Sequence, residues 1–536
     1  MTLSRIAMLQ AVLFTTGAVT LALELVASRI LTPVFGSSLY VWTGILTVTL
    51  CCLALGYDLG GRWSRKGPDE RIGERYAVLP LGAAVYLLAA AALHPALLDG
   101  LHAMDIVLGA LAGCMILLGP VLIVLSAMNP LLSALAGAGR DGGGRAFAIS
   151  TAGSVCGVLF TSFVLVPRLS APDILLVLSA MLGLCALAAT LVTVRATRRT
   201  QILVGAGLLT AALLALFLVP RTDTARIGTL EAERLATYRS SFGDIHVVEA
   251  GMLDTRLLRL YIQNGGLQGG VDSRNRSVTA YTGIVTHALS AARPAARRIL
   301  IVGLGAGILP RDFSRTGRQV TVFEIDRTSV TAAERHFGLP VDDVAIRIGD
   351  ARILLDDCRQ AEHAFDAIIL DAFSGIEMPG HLLTVEFFAK VRQCLAPGGV
   401  VLGNLILPGD ETPLTRAVLG TVIAGLGQDL VVYRNDPREN RRKDGGKDRA
   451  ADPNLFATLV FLSGPDPGGA AKLSIPDFPV ALGVRRPVVI EGRPVRRHAL
   501  AGADILTDRR NRYDWLAAAG QAAARRQITV VLPSTW

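Results

Sequence analysis

Residues 298–310 read Arg-Ile-Leu-Ile-Val-Gly-Leu-Gly-Ala-Gly-Ile-Leu-Pro, and this stretch decides the fold of the second half of the chain. Its first part, Ile299–Val302, is an apolar, β-branched run typical of a buried parallel strand. Gly303, Gly305 and Gly307 follow directly and predict a turn in which the backbone approaches a ligand closely. The alternative is that the glycines only make a tight turn between a strand and a helix.

The next strand favours the ligand-binding interpretation. Residues 319–326 read Gln-Val-Thr-Val-Phe-Glu-Ile-Asp, so a second apolar strand ends in Glu324, about 20 residues after the glycines. An acidic side chain at this place can accept hydrogen bonds from both hydroxyls of a ribose. No Lys-Ser or Lys-Thr pair follows the glycines, which argues against a phosphate-binding P-loop. The sequence therefore predicts a nucleoside-binding crevice.

Strands and helices alternate from this stretch onward. We predict helices that include 328–336 and 384–395, and strands at 299–302, 320–323, 345–348, 367–370 and 400–404. Such alternation predicts a doubly wound parallel sheet, an α/β Rossmann-like domain over residues 291–536. Ligands of such sheets bind beyond the carboxyl ends of the strands.

Acidic residues follow three of these strands in succession, Glu324, Asp350 and Asp371. Each could be a helix cap when taken singly, but their repetition favours one shared site. In a nucleoside site Glu324 would hold the ribose, Asp350 with the adjacent Ala351 would hold the adenine, and Asp371 would lie near the reacting atoms.

The first half of the chain is much more apolar. The chain has 536 residues, 51% of them hydrophobic, and a mean hydropathy of +0.47, which is high for a soluble enzyme. Before residue 220, apolar runs long enough to cross a bilayer recur at 6–27, 38–56, 75–97, 104–126, 146–167, 173–194 and 201–219. We predict a membrane domain over 1–220 with about seven transmembrane helices, the first retained and not a cleaved signal.

We attribute the formal net charge of +9 to contact with anionic lipid, because basic residues commonly flank membrane spans. We expect no nucleic-acid partner, because the basic segment Asn435–Pro453 contains no aromatic residues. The predicted location is the cell inner membrane. The basic loops at 57–75, 127–145 and 195–200 are expected to be cytoplasmic, so seven spans place the second half outside, whereas an adenosyl donor is expected in the cytosol.

Two pairs of opposite charges lie in or beside the apolar runs, Glu24 with Arg29 and Asp58 with Arg62. Each pair could neutralise itself, and the alternative is a polar cavity. The small residues within 152–157 predict close helix packing. The seven cysteines predict neither a disulfide nor a metal site, since five lie in apolar runs and the other two are isolated.

Between the halves, residues 228–290 predict an antiparallel lid of β-hairpins. Ile245–Val248 and Leu257–Ile262 alternate apolar and polar residues and are separated by turn residues.

These features together resemble the polyamine aminopropyltransferase (spermidine synthase) family over residues 236–410. The residues that carry the resemblance are Ser241-Phe242-Gly243-Asp244-Ile245, Asn264-Gly265-Gly266-Leu267-Gln268, Tyr281, His287, the glycine turn, Glu324, Gly349-Asp350-Ala351-Arg352, Asp371 and His381-Leu382-Leu383-Thr384. The whole chain looks like the bacterial integral-membrane branch of that family, in which such a domain follows several membrane spans.

The resemblance implies a Rossmann-like domain of the S-adenosylmethionine-dependent transferase type with a β-hairpin lid. It implies S-adenosylmethionine or its decarboxylated form as co-substrate, methylthioadenosine as product, no metal, and an amine acceptor or none; it also allows a homodimer. Asp371 and Tyr281 match catalytic positions, and Gln268 matches a donor-binding one. His287 and Ser374 fall in the substrate pocket.

Three positions depart from the family pattern. Ala306 and Ser374 stand where the family has acids, and Thr282-Gly283 replaces a polar pair after the tyrosine. Loss of the acid at Ala306 removes repulsion against a donor carboxylate, so intact S-adenosylmethionine is a candidate donor. The open alternatives are its cleavage without an acceptor, methyl transfer on the same scaffold, and a non-catalytic adenosyl-ligand sensor or transporter.

Overall fold

The structure is a computed structural model that describes residues 3–35, 39–65, 69–101, 104, 106–135, 142–194, 203, 205–207, 209–210, 213, 223–227, 230–251, 257–358, 364–373, 378–409, 412–435, 457–465, 471–481, 484–513 and 516–517. It divides into two compact units, Met1–Arg221 and Thr222–Trp536. Of the predicted basic segment Asn435–Pro453, residues 436–453 lie outside the described residues.

The first unit is helical. Its helices are α1 (Leu3–Phe35), α2 (Leu39–Arg65), α3 (Asp69–Leu101), α4 (Ile106–Ser126), α5 (Met128–Leu135), α6 (Gly142–Phe160) and α7 (Ala171–Thr193). In the part of the chain that the structure describes, 6 segments are long and apolar enough to cross a membrane, by length and composition alone. They coincide with the first six predicted runs. The seventh, 201–219, lies largely outside the described residues and stays a prediction.

Small residues let α1 and α6 approach closely, as predicted. A methyl group at Gly153 would overlap the carbonyl oxygen of Phe14, and one at Gly157 would overlap that of Ala18. The Ser154 hydroxyl donates across the interface to the carbonyl oxygen of Gly17, at 2.9 Å. Helices in contact through glycine gain van der Waals contact between their backbones.

The two predicted charge pairs have different outcomes. Arg62 and Asp58 form an ion pair one turn apart on α2, at 2.6 Å, and both are exposed. Glu24 forms no such pair among the described residues, and its Oε1 atom has no hydrogen-bond partner there. Arg29 lies five residues further along α1, a rotation of about 140° around the helix, which turns it away from the Glu24 face.

The second unit begins with a five-stranded antiparallel sheet in the order β1 (Thr224–Ile227), β2 (Leu230–Ser240), β3 (Gly243–Gly251), β4 (Leu258–Gln263) and β5 (Gly266–Val271). This is the hairpin-rich region predicted as a lid.

A nine-stranded sheet forms the core of the second unit. Five strands are parallel, in the order β10 (Leu395–Leu407), β9 (Phe365–Leu370), β6 (Arg298–Val302), β7 (Gln319–Glu324) and β8 (Val344–Ile348). They confirm the five predicted strands. Four antiparallel strands extend the β10 edge, namely β12 (Ala457–Ser463), β11 (Leu430–Asn435), β14 (Val484–Val495) and β13 (Lys472–Ala481).

Helices cover both faces of this sheet, which gives three layers. One apolar core lies under α8 (Ala280–Ala292) and α9 (Ile308–Arg315). The other lies under α11 (Ala351–Cys358), α12 (Val385–Gln393) and α13 (Pro413–Leu426). A further helix, α10 (Arg327–Phe337), connects β7 to β8, so it and α12 confirm the two predicted helices.

The antiparallel sheet is fixed to α10 and to the loop before it. The Ser240 hydroxyl donates to Asp326 Oδ2 at 2.6 Å, and the Tyr261 hydroxyl donates to Ser329 Oγ at 3.0 Å. Tyr261 is buried, and its ring lies edge-on to Phe337 at the end of α10. Polar and apolar contacts therefore hold the predicted lid against the parallel sheet domain.

The prediction of no disulfide is wrong for one pair. Cys358 ends α11 and Cys394 lies between α12 and β10, and the structure pairs them with 5.7 Å between their Cα atoms. The two cysteines are 36 residues apart in sequence. They meet because α11 and α12 lie side by side on one face of the sheet, a proximity that sequence spacing does not reveal.

Candidate active site

The glycine turn joins the carboxyl ends of three neighbouring strands. The Gly303 amide donates to the Phe323 carbonyl of β7, and the Asp371 amide, directly after β9, donates to the Val302 carbonyl of β6, both at 2.8 Å. Gly303 has φ +95°, and a methyl group on it would overlap the backbone of Asp371. Gly305 has φ +53°, and a methyl group there would meet nothing within 4 Å. The turn therefore touches β9 on one side and is open at Gly305.

The Glu324 side chain connects this turn to the end of β7 by hydrogen bonds. Its Oε2 accepts the Leu304 amide and its Oε1 accepts the Asp326 amide, both at 2.8 Å. The residue is 7% exposed, and burial raises the pKa of its carboxyl to about 7, although the two backbone hydrogen bonds oppose this shift. Glu324 thus shapes the turn, and each oxygen keeps a second lone pair for a ligand hydroxyl.

Asp371, Tyr281 and Asn404 form a polar cluster beside the turn. Asn404 Nδ2 donates to Asp371 Oδ1 at 3.0 Å, and the Tyr281 hydroxyl lies beside the Asp371 carboxyl. Burial raises the pKa of Asp371 to about 6, and the donors of Asn404 and Tyr281 oppose the rise. Burial and the neighbouring Asp371 charge raise the pKa of Tyr281 well above its usual value. Tyr281 is therefore a neutral hydrogen-bond donor, and Asp371 is a carboxylate at neutral pH.

Asn404 is a residue of this cluster for which the sequence alone indicates no role. It lies on β10, is 5% exposed, and its Oδ1 atom has no hydrogen-bond partner among the described residues. A buried, unsatisfied amide oxygen is costly, which indicates that a ligand donor would be favourable there. The signal in the sequence was one polar side chain within the apolar run of β10.

Asp350 and Ala351 lie at the end of β8, at the start of α11. Asp350 Oδ1 accepts the Arg352 amide at 2.8 Å, which is the pattern of a helix cap. Asp350 Oδ2 lies 3.3 Å from Nε2 of His381, and both side chains are partly exposed. Capping and ligand binding are compatible here, because a carboxylate has several acceptor positions.

Strand β5 brings Gln268 close to the turn. Gly269 pairs with Tyr261 and Leu267 pairs with Ile262, so Gln268 is the extra residue of a bulge. A methyl group on Gly269 would lie 3.0 Å from the side chain of Ala306. Ala306 is 4% exposed, so the side chain that departs from the family pattern is buried between the turn and β5.

His287 is not brought into this cluster. The His287 ring lies against its own helix, with Nδ1 2.9 Å from the Gly283 carbonyl oxygen. Gly283, one turn earlier on the same face of α8, lies next to Phe478 of β13. No contact of His287 with Asp371 is seen among the described residues, and its substrate role stays a prediction. Ser374 lies outside the described residues. Within those residues, no group of three or more His, Cys, Asp or Glu side chains could hold a metal ion.

Comparison with known proteins identifies relatives of the second unit. The family model described as the spermine/spermidine synthase domain matches residues 278–405. The polyamine aminopropyltransferase of Vibrio vulnificus is 34% identical over 134 residues, 24% of this chain and 45% of that protein. Polyamine aminopropyltransferase 2 of Hyperthermus butylicus is 30% identical over 168 residues, 30% of this chain and 54% of that protein.

A probable spermidine synthase from Corynebacterium glutamicum, known from its crystal structure, is similar with a TM-score of 0.39 and 20% sequence identity, over 51% of this chain and 96% of that chain. This chain spans about half the length of the curated relatives it matches.

Proposed function

We propose that the second unit, whose residues 278–405 match the family model of the spermine/spermidine synthase domain, is an alkyl transferase. It takes the alkyl chain of S-adenosylmethionine or of its decarboxylated form, transfers that chain to an amine, and releases methylthioadenosine. The cluster of Asp371, Tyr281 and Asn404 beside the glycine turn is the observation that carries this proposal.

The reaction requires little from the protein beyond positioning. The amine nitrogen attacks the methylene carbon next to the sulfonium, the carbon–sulfur bond breaks, and the bonding electrons leave with sulfur as neutral methylthioadenosine. The Asp371 carboxylate orients the neutral amine through a hydrogen bond and accepts its surplus proton after attack. The same negative charge stabilises the sulfonium in the bound donor. Tyr281 and Asn404 hold the carboxylate in place.

The remaining site residues bind the adenosine part. Glu324 accepts the ribose hydroxyls, and Asp350 with Ala351 holds the adenine. Gln268 lies beside the donor tail. Because Ala306 leaves the turn without an acid, donors with and without a carboxylate both belong to the proposed substrate class.

The test is to incubate the purified protein with each donor, with and without putrescine as the amine, and to chromatograph the products. Methylthioadenosine that forms only when putrescine is present supports the transferase proposal. Methylthioadenosine formed from S-adenosylmethionine alone would replace it with donor cleavage. S-adenosylhomocysteine as the only adenosyl product would contradict it and indicate methyl transfer.

We further propose that the helical unit crosses the inner membrane several times, supported by the 6 long apolar segments among the described residues. Donor availability favours a cytoplasmic second unit. The basic loops favour an outward one if the seventh predicted run, 201–219, also crosses the membrane. The disulfide between Cys358 and Cys394 favours it too, since disulfides persist in oxidising compartments. Protease accessibility of the second unit in intact spheroplasts decides between the two orientations.

Donor affinity is expected to depend on pH through Glu324. Ribose hydroxyls donate to the carboxylate form, whose pKa is about 7 in the free protein, so binding releases a proton and weakens as pH falls below 7. The dissociation constant of methylthioadenosine should rise about tenfold between pH 8 and pH 6. Calorimetry at both pH values measures this change. Glu324→Gln should bind weakly and without this pH dependence; an equally steep dependence in Glu324→Gln would exclude Glu324 as its source.

Asn404→Leu is expected to shift the acid limb of the pH–rate profile to higher pH. The Asn404 amide donates to the charged form of Asp371, so its loss raises the pKa of Asp371 above its present value of about 6. The variant should lose about tenfold in kcat at pH 6.5 and less at pH 8. Gln428→Leu, an exposed amide on the loop before β11, is the matched control. An unchanged profile in Asn404→Leu would show that Asn404 does not tune Asp371.

A further inference from the structure

Helix α1 carries a polar side chain at every fourth position between residues 16 and 32. The series is Thr16, Thr20, Glu24, Ser28 and Thr32. Residues four apart are neighbours on a helix surface and are rotated by about 40°, so the five side chains form a continuous stripe that winds about 160° around α1. None of them is exposed, and Thr16 and Glu24 are buried. Such a stripe is unexpected in an apolar helix bundle, where buried polar atoms are costly.

The stripe offers acceptors and no free donors. Its four hydroxyls all donate to backbone carbonyls about one turn earlier on α1: Thr16 to Leu13 at 3.0 Å, Thr20 to Thr16 at 3.0 Å, Ser28 to Leu25 at 2.7 Å, and Thr32 to Ser28 at 2.7 Å. Each hydroxyl proton is thus used by the helix itself, and only the oxygen lone pairs remain.

Glu24 lies at the centre of the stripe and is 9% exposed. Its Oε1 atom has no hydrogen-bond partner among the described residues. Thr49 of α2 lies beside the Glu24 carboxyl and is 5% exposed, and its Oγ1 also lacks a partner of good geometry in the described part of the chain. Two helices therefore direct unsatisfied oxygen atoms at one buried place.

We propose that Glu24 and Thr49 bind the ammonium group of a primary amine inside the helical unit. An ammonium group brings a positive charge that the Glu24 carboxylate attracts, and three N–H donors for the lone pairs of the carboxylate and hydroxyl oxygens. Calcium requires six to eight oxygen ligands and magnesium a near-ideal octahedron, so the few oxygens here do not suit them. The alkyl part of the amine packs against buried apolar side chains of α1 and α2 such as Leu23, Ala27 and Val48.

This site belongs to the helical unit and does not depend on the transferase activity of the second unit. The proposal is therefore tested at Glu24 itself. A hydrophobic carbodiimide reacts with carboxyl groups in apolar surroundings, and peptide mass spectrometry reads the extent of modification at residue 24. Full-length protein in detergent is treated with butylammonium chloride, with tetramethylammonium chloride, with sodium chloride, or with no addition.

Butylammonium is expected to slow modification of Glu24 at least fivefold, whereas tetramethylammonium, which has no N–H donors, and sodium should not. Thr49→Val should weaken this protection, and Asp58→Asn, which removes an exposed carboxylate of α2, should leave it unchanged. Equal modification with and without butylammonium would overturn the proposal, and so would equal protection by sodium or tetramethylammonium. Calorimetry adds a second measurement: Glu24→Gln should lower the affinity for butylammonium at least tenfold, and the overturning result is unchanged affinity.

Discussion

Asp371→Asn is expected to lower kcat about a thousandfold while the dissociation constant of methylthioadenosine changes less than about threefold. The Asp371 carboxylate is proposed to orient the attacking amine and to accept its proton, and general-base contributions commonly lie between 10²- and 10⁴-fold. Asparagine keeps the size of the side chain and can still contact Asn404 and Tyr281, but it cannot accept the proton or offset the sulfonium charge. Single-turnover rates and calorimetry separate the two effects.

Asp366→Asn is the matched control for this prediction. Asp366 lies near the start of the same strand, β9, and its Oδ2 accepts the backbone amides of Arg297 and Arg298, both at 2.9 Å. It is far along the strand from the carboxyl end, so its loss should affect stability and leave kcat nearly unchanged. A similar fall of kcat in both variants would show that the Asp371 effect is structural. Full activity in Asp371→Asn would remove Asp371 from the mechanism.

Gly303→Ala is expected to destabilise the second unit by roughly 3 kcal/mol or more, which is large for one methyl group. Two costs add. The backbone at residue 303 has φ +95°, which side-chain-bearing residues rarely adopt, and the new methyl would overlap the backbone of Asp371. The ends of β6 and β9 would have to separate, so the donor site should be lost with the stability. Pulse proteolysis in urea measures the stability of this unit in the full-length protein.

Gly317→Ala isolates the backbone part of that cost. Gly317 has φ +76°, and a methyl group there would meet nothing within 4 Å. The Gly317→Ala variant should lose about 1 kcal/mol of unfolding free energy through backbone strain alone. If Gly303→Ala loses no more unfolding free energy than Gly317→Ala, the close approach between the turn and Asp371 is not maintained in solution.

The parallel core was predictable because its signals are local. Continuous apolar, β-branched runs mark the buried strands, and the ends of those strands place Glu324, Asp350 and Asp371 at one edge of the sheet. The contact between Tyr281 and Asp371 followed only from the family resemblance. Its residues are 90 positions apart, and no local pattern links the start of α8 to the end of β9.

Other features depend on tertiary packing and escaped the sequence analysis. Asn404 looked like one polar residue in an apolar strand, and its role emerged only from its contact with Asp371. The Cys358–Cys394 pair depends on two helices lying side by side. Glu24 was expected to pair with Arg29, but the helix turns these side chains apart, so the carboxyl remains without an ion-pair partner among the described residues.

The central claim is that the alkyl chain of the donor moves to an amine at Asp371. The most direct test uses decarboxylated S-adenosylmethionine labelled with carbon-13 in its three-carbon chain, together with putrescine, and determines the mass of each product. The account predicts that the amine gains the labelled aminopropyl group and that unlabelled methylthioadenosine forms in equal amount. Label that remains with the adenosyl product, or an amine that gains only a methyl group, would contradict it.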